Sequence, residues 1–108
     1  MAEIEDGRKF EKIALDFLKQ NNLPEAESNF IQALTHMKQS GDEEGQAYVL
    51  GSLGNLCFQS RRLDKAEEYY GKALTYMEKV NDIRGIESSL GNLGSVLFYK
   101  GNLNEAEK

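Results

Sequence analysis

The sequence predicts an all-α solenoid of antiparallel helix pairs. Three observations predict it: a repeat at an offset of 40 residues, apolar residues at helical spacing within each period, and no segment that alternates apolar and polar residues. The repeat joins the second period to the third through Leu50/Leu90, Gly51/Gly91, Leu53/Leu93, Gly54/Gly94, Phe58/Phe98 and Leu63/Leu103. It joins the first to the second through Leu23/Leu63, Ala26/Ala66, Ala33/Ala73, Leu34/Leu74, Met37/Met77, Asp42/Asp82 and Gly45/Gly85. A fixed period of this length marks units that cannot bury their apolar faces alone and stack to do so.

Units are expected near residues 7–46, 47–86 and 87–108 of a single array over 1–108, with helices near 4–20, 24–39, 43–60, 64–79 and 83–100. The first helix carries Phe10, Ile13, Ala14 and Phe17 on one face. The second opens at Pro24, which the first turn of a helix tolerates, and carries Ala26, Phe30 and Ala33. Gly41 suits the left-handed residue that closes it, and Asp42 is placed to cap the third helix, whose stripe is Leu50, Leu53, Gly54 and Cys57. The fourth is expected to be capped by Asp64, with Glu67 three residues on as in a capping box, and to bury Ala66, Tyr70, Ala73, Leu74 and Met77. Asn81 and Asp82 repeat the punctuation before the fifth helix, and Asn104 is placed to cap a sixth that has barely begun. The third unit has only 22 residues, so the chain reads as two full units and a half, either a piece of a longer array or one whose tail was never made.

A mid-helix glycine costs about 1 kcal/mol relative to alanine, so Gly54 and Gly94 need an offset. Close approach of a second helix is the expected one at both. Small residues at Ala14, Gly54 and Gly94 would then face Ala26, Ala66 and Ala106.

The charge balance, −5 at pH 7 with a pI near 4.9, argues against a sequence-independent grip on nucleic acid or an anionic membrane, since both need clustered cations. No apolar run approaches a membrane span of roughly 18 residues. Cys57 is the only cysteine and cannot form an intrachain disulfide, and the acidic start Met-Ala-Glu-Ile-Glu-Asp is unlike a signal peptide, so the cytoplasm is the expected compartment. Catalytic groups are sparse. His36 is the only histidine and reads as a surface residue of the second helix; Cys57 lies on an apolar stripe and reads as a buried, inert thiol; Gly51 and Gly54 sit inside a helix and form no phosphate loop. No enzyme, cofactor or metal is expected.

The stretch Leu50-x-x-Leu53-Gly54-x-x-Cys57, then Ala66-x-x-x-Tyr70 and Ala73, resembles a tetratricopeptide repeat, and Leu90-x-x-Leu93-Gly94-x-x-Leu97 with Ala106 repeats it. The usual Trp, the usual late Pro and the 34-residue period are absent. The period of about 40, with Gly-Asp-x-x-Gly between units and Gly-Ser-Leu-Gly-Asn or Gly-Asn-Leu-Gly-Ser in the first helices, is similar to the long-helix subclass of spindle-orientation G-protein regulators and kinesin light chains. The resemblance implies a right-handed superhelix whose concave surface is lined by the first helix of each unit.

A polar stripe lies nearly opposite the apolar one on the third helix: Tyr48, Ser52, Asn55 and Gln59, at i, i+4, i+7 and i+11. Its copies are Ser88, Asn92, Ser95 and Tyr99 in the third unit, and Arg8, Lys12, Leu15 and Lys19 in the first. Any solvated helix face carries polar residues, but this one lacks the long charged side chains of an idle face. With the resemblance, the stripe implies a groove floor of amides, hydroxyls and phenols able to hydrogen-bond an extended peptide, with a positive end at Arg8 and Lys12. A clamp for a C-terminal carboxylate is not expected, because Glu11, Leu15, Ser52, Ser88 and Asn92 hold the matching places. The expected function is a non-catalytic protein- or peptide-binding scaffold. The alternative is a structural array that self-associates where Leu90, Leu93, Leu97 and Phe98 of the fifth helix lack a covering partner.

Overall fold

The computed structural model describes the backbone of residues 2–107 and the side chains of residues 6–102. Five helices follow in order: α1 (Ala2–Lys19), α2 (Leu23–Ser40), α3 (Glu43–Gln59), α4 (Leu63–Lys79) and α5 (Ile83–Glu107). No strand occurs among the described residues. Each helix packs on the next and α1 also touches α3, so the first helices α1, α3 and α5 share one layer and α2 and α4 the other. The result is an all-α solenoid, 53 × 31 × 19 Å.

Every junction uses one residue at positive φ: Asn21 (59°), Gly41 (73°), Arg61 (64°) and Asn81 (60°). Between units this is the expected device, and Asp42 and Asp82 cap as expected, accepting from the backbone N–H of Gly45 at 2.9 Å and of Gly85 at 3.0 Å. Within units the caps differ from expectation. Asn22, not the Pro24 position, caps α2 by accepting from the Glu25 N–H at 3.4 Å. In the second unit Arg62 holds the cap position without a side-chain bond. Its carbonyl already accepts the Ala66 N–H at 2.9 Å, so Asp64 falls inside the first turn, and its carboxylate pairs instead with Lys100 on α5 at 2.8 Å.

The end of the chain also departs from expectation. A turn near residue 101 and a cap at Asn104 were predicted by the repeat, yet α5 continues to Glu107. A turn gives up helical hydrogen bonds and needs tertiary packing in exchange, which Leu63 and Ala66 find on α3 in the second unit. The side chains of Leu103, Asn104 and Ala106 lie outside the described residues, and there the helical hydrogen bonds simply continue.

Two clusters form the core. Ala14, Ala26, Phe30, Ala33, Met37, Val49, Leu53 and Leu56 join α1, α2 and α3, while Cys57, Ala66, Tyr70 and Val96 join α3, α4 and α5. Gly54 shows the predicted close approach: a Cβ there would lie 2.6 Å from the Tyr70 ring. Gly94 does not, because nothing lies within 4 Å of its Cβ position. Cys57 is buried, and burial pushes its thiol up, as suits an inert core residue. His36 is half-buried rather than a surface residue, its ring stacked on Phe10 with centroids 5.2 Å apart. Ion pairs knit the elements at the surface: a bidentate pair at 3.0 Å between Arg62 of the α3–α4 junction and Glu27 of α2, Lys79–Glu43 at 2.7 Å and Lys100–Glu67 at 2.7 Å.

Candidate functional site: the groove of the first helices

The polar stripe of α3 is exposed except for half-buried Ser52, and its α5 copy is exposed except for half-buried Asn92. Between them the layer of first helices holds two adjoining cavities. The larger, about 500 Å³, is lined by Leu18 of α1, by Asn55, Leu56, Phe58 and Gln59 of α3, by Tyr70 of α4, and by Asn92, Ser95 and Tyr99 of α5. The smaller, about 360 Å³, includes Tyr48, Ser52, Asn55, Asp82, Arg84, Ser88 and Asn92. Asn55 and Asn92 belong to both, so the two amides stand where one cavity opens into the other.

Of the ten site residues expected from the sequence, Tyr48, Ser52, Asn55, Gln59, Ser88, Asn92, Ser95 and Tyr99 are brought to these cavities. Arg8 and Lys12 are not: both are exposed on α1 and line neither cavity. Arg8 is held by Asp42 at 3.6 Å, which draws its charge toward the α2–α3 junction. The residues expected to make one end of the groove positive therefore lie outside both cavities, with Leu15 and Lys19 also exposed.

Two groove residues are tied to other elements. The Tyr48 hydroxyl donates to Asp82 Oδ2 at 3.0 Å, and Asp82 also caps α5. That hydrogen bond and the carboxylate charge push the Tyr48 phenol up. The same offset gives the Arg8–Asp42 pair in the unit before, so each first helix reaches the cap of the next one. The Tyr70 hydroxyl, nearly buried behind the groove, donates to Asn55 Oδ1. Desolvation pushes that phenol up to about 12, so it keeps its hydrogen throughout the neutral range. Tyr99 meets Phe58 edge-on, with centroids 5.4 Å apart, and this pair forms an aromatic wall of the larger cavity.

Sequence reasoning missed Leu18, Phe58, Tyr70, Asp82 and Arg84 as groove residues. Leu18 and Phe58 are copies of one another at the 40-residue offset, which was a usable signal. Tyr70 carried none, since its place in Ala-x-x-x-Tyr marks it as core and says nothing of where its hydroxyl points.

No described helix is long and apolar enough to cross a membrane. A comparison with curated proteins finds no match. Among solved structures the chain is similar to BtubC (BKLC) from P. vanneervenii, with a TM-score of 0.80 and 21% identity over 94% of this chain and 42% of that one. The likeness is one of fold, and this chain spans less than half of that protein's length. The family model described as tetratricopeptide repeat matches residues 7–79, which hold α2, α3, α4 and most of α1. Repeats of that kind generally mediate protein–protein interaction or scaffolding and are typically non-catalytic. With the 40-residue repeat, the stacked helix pairs and the Gly54–Tyr70 contact all in one chain, this protein belongs to the tetratricopeptide-repeat family.

Proposed function

We propose that the chain is a non-catalytic binding module whose groove holds an extended segment of a partner protein. The observation that carries this reading is the pair of cavities sharing Asn55 and Asn92, lined by amides and hydroxyls of α3 and α5 with Asp82 and Arg84 in the smaller, and walled in the larger by Phe58 and Tyr99. Amides and hydroxyls can hydrogen-bond a peptide backbone, and the aromatic wall can pack against its side chains. Arg8, Lys12 and Lys19 add a positive flank that can attract acidic residues of the partner. A single buried thiol fits the reducing cytoplasm, and the net charge of −5 disfavours nucleic acid or an anionic membrane as the partner.

The test uses linear peptides selected on the protein from a displayed random library. Asn92→Ala removes a groove amide and should weaken a selected peptide about two- to tenfold with little change in melting temperature. Normal binding by that variant, or chemical-shift changes confined to α2 and α4, would remove the groove from consideration. Asn55→Ala is a poor probe, because it would also leave the Tyr70 hydroxyl without its acceptor. Added salt should weaken binding only modestly if the amides dominate, and sharply if Arg8, Lys12 and Lys19 do.

A second reading is favoured by a specific observation. On α5, Leu90, Leu97 and Phe98 are 54%, 54% and 65% exposed, a concentration of apolar surface that supports self-association there. Leu93, expected to share that exposure, is half-buried against the cluster of Cys57, Ala66, Tyr70 and Val96 and does not contribute. Sedimentation of Leu97→Lys with Phe98→Lys should show a lighter species than the unaltered chain at the same concentration. A concentration-independent monomer before substitution would end this reading.

A further inference from the structure

We infer that Tyr70 is a positioning residue for the groove: its hydroxyl holds the Asn55 amide by its oxygen, so that the NH2 group is the end left without a partner inside the protein and the groove favours a carbonyl oxygen at that point. The inference rests on the groove reading above and adds the polarity of one contact to it.

A buried phenol has few options. Tyr70 is 3% exposed, and its ring is seated over Gly54, where even a methyl group would collide at 2.6 Å. A phenol carries one hydrogen and, when buried, needs an acceptor for it. Tyr70 donates that hydrogen to Asn55 Oδ1, across the α3–α4 interface. Rotating the amide by half a turn would set the Asn55 NH2 against the hydroxyl and turn the phenol hydrogen away from its partner across the helix interface, so the observed orientation is the one that pairs that hydrogen within the protein. Asn55 Oδ1 thereby has one lone pair engaged by the phenol, while Nδ2 makes no side-chain hydrogen bond among the described residues, on a residue that lines both cavities. Asn92, opposite, makes no side-chain hydrogen bond among the described residues and remains free to present either end of its amide. The groove thus pairs one fixed donor with one adaptable amide. The residue that gives Gly54 its packing role also sets the chemistry of the nearest groove contact, which explains why a tyrosine rather than a phenylalanine stands at this core position.

The test has an arm that needs no ligand and an arm that does. Tyr70→Phe keeps the ring over Gly54 and removes only the hydroxyl. In the ligand-free protein, the Asn55 side-chain amide should change from a restrained to a mobile 15N relaxation signature in this variant, while the Asn92 amide stays as it was. For the second arm, a linear peptide selected from a displayed random library on the unaltered protein is mapped to the groove by its sensitivity to Asn92→Ala. Its affinity should fall about two- to tenfold in Tyr70→Phe. Asn55→Asp keeps an acceptor for Tyr70 but removes both donors, and should lose at least as much; it also serves if Tyr70→Phe folds poorly. An Asn55 amide unchanged by Tyr70→Phe, or a groove-bound peptide indifferent to both variants, would overturn the inference while leaving the groove reading in place. A selected peptide that maps elsewhere would overturn the groove reading itself, and the carbonyl selection with it.

Discussion

The first helices α3 and α5 carry nearly the same apolar stripe in two different surroundings. On α3, Leu50, Gly54 and Cys57 are all buried, and Gly54 and Cys57 meet Tyr70 or Ala66 of α4. On α5, their copies Leu90, Gly94 and Leu97 are all exposed. The Tyr70 ring fills the space over Gly54, and the space over Gly94 is open. What α5 buries instead is the adjoining face, Ser89 and Val96 with half-buried Leu93, against α4 and its neighbours. One stripe therefore makes a core in one unit and a surface in the next. A repeat position has no intrinsic burial; the helix placed over it decides.

The largest effect should come from Leu53→Asp. Leu53 is fully buried between α1, α2 and α3, so an unpaired charge there should unfold at least the second unit, whereas Leu97→Asp on the open stripe should leave the thermal transition nearly unchanged. Circular dichroism melts of the two variants give the contrast directly. Retained helicity in Leu53→Asp would break the packing account for both units.

Next in size is the glycine pair. Gly54→Ala drives a methyl into the Tyr70 ring and should cost about 1–3 kcal/mol. Gly94→Ala meets open space and gains helix propensity, so it should stabilise by up to about 1 kcal/mol. Chemical denaturation that moved both variants in the same direction would show that the two sites are not as different as they look.

The smallest effect sharpens the comparison at Tyr70. Its phenol is pushed up from 10.0 to about 12, so the folded state holds that proton more tightly than the unfolded chain does. The associated stability is fully present below pH 10 and is lost as pH rises from about 10 to about 12. Tyr70→Phe should flatten the alkaline fall in stability over that window, measured as the difference between the two pH profiles, and an unchanged slope would mean the phenol is not shielded between α3 and α4.

How much could be read in advance follows the same division. The helix pattern, the left-handed Gly41 and Asn81, and the Asp42 and Asp82 caps were legible because each depends on a few neighbouring residues. Asp64 misled because a capping box also matches a carboxylate already within the first turn, and only the Arg62 carbonyl bond to the Ala66 N–H distinguishes the two. At the groove, the eight polar and aromatic residues of α3 and α5 were legible from helical spacing, since spacing fixes which side chains share a face. The displacement of Arg8 was not, because it depends on a carboxylate 34 residues away at another helix junction.

The sequence by itself determined a 40-residue period, the helices within it and the faces each helix presents, because apolar spacing, glycine and capping residues act over one or two turns of chain. Only the tertiary structure decided that Leu50 is core while Leu90 is surface, that Gly54 is needed for close packing while Gly94 is not, and that Tyr70 reaches through the helix pair to hold Asn55. Those outcomes depend on which helix lies across which stripe. Burial and hydrogen-bond pairing are properties of two surfaces in contact, and a local pattern describes only one of them.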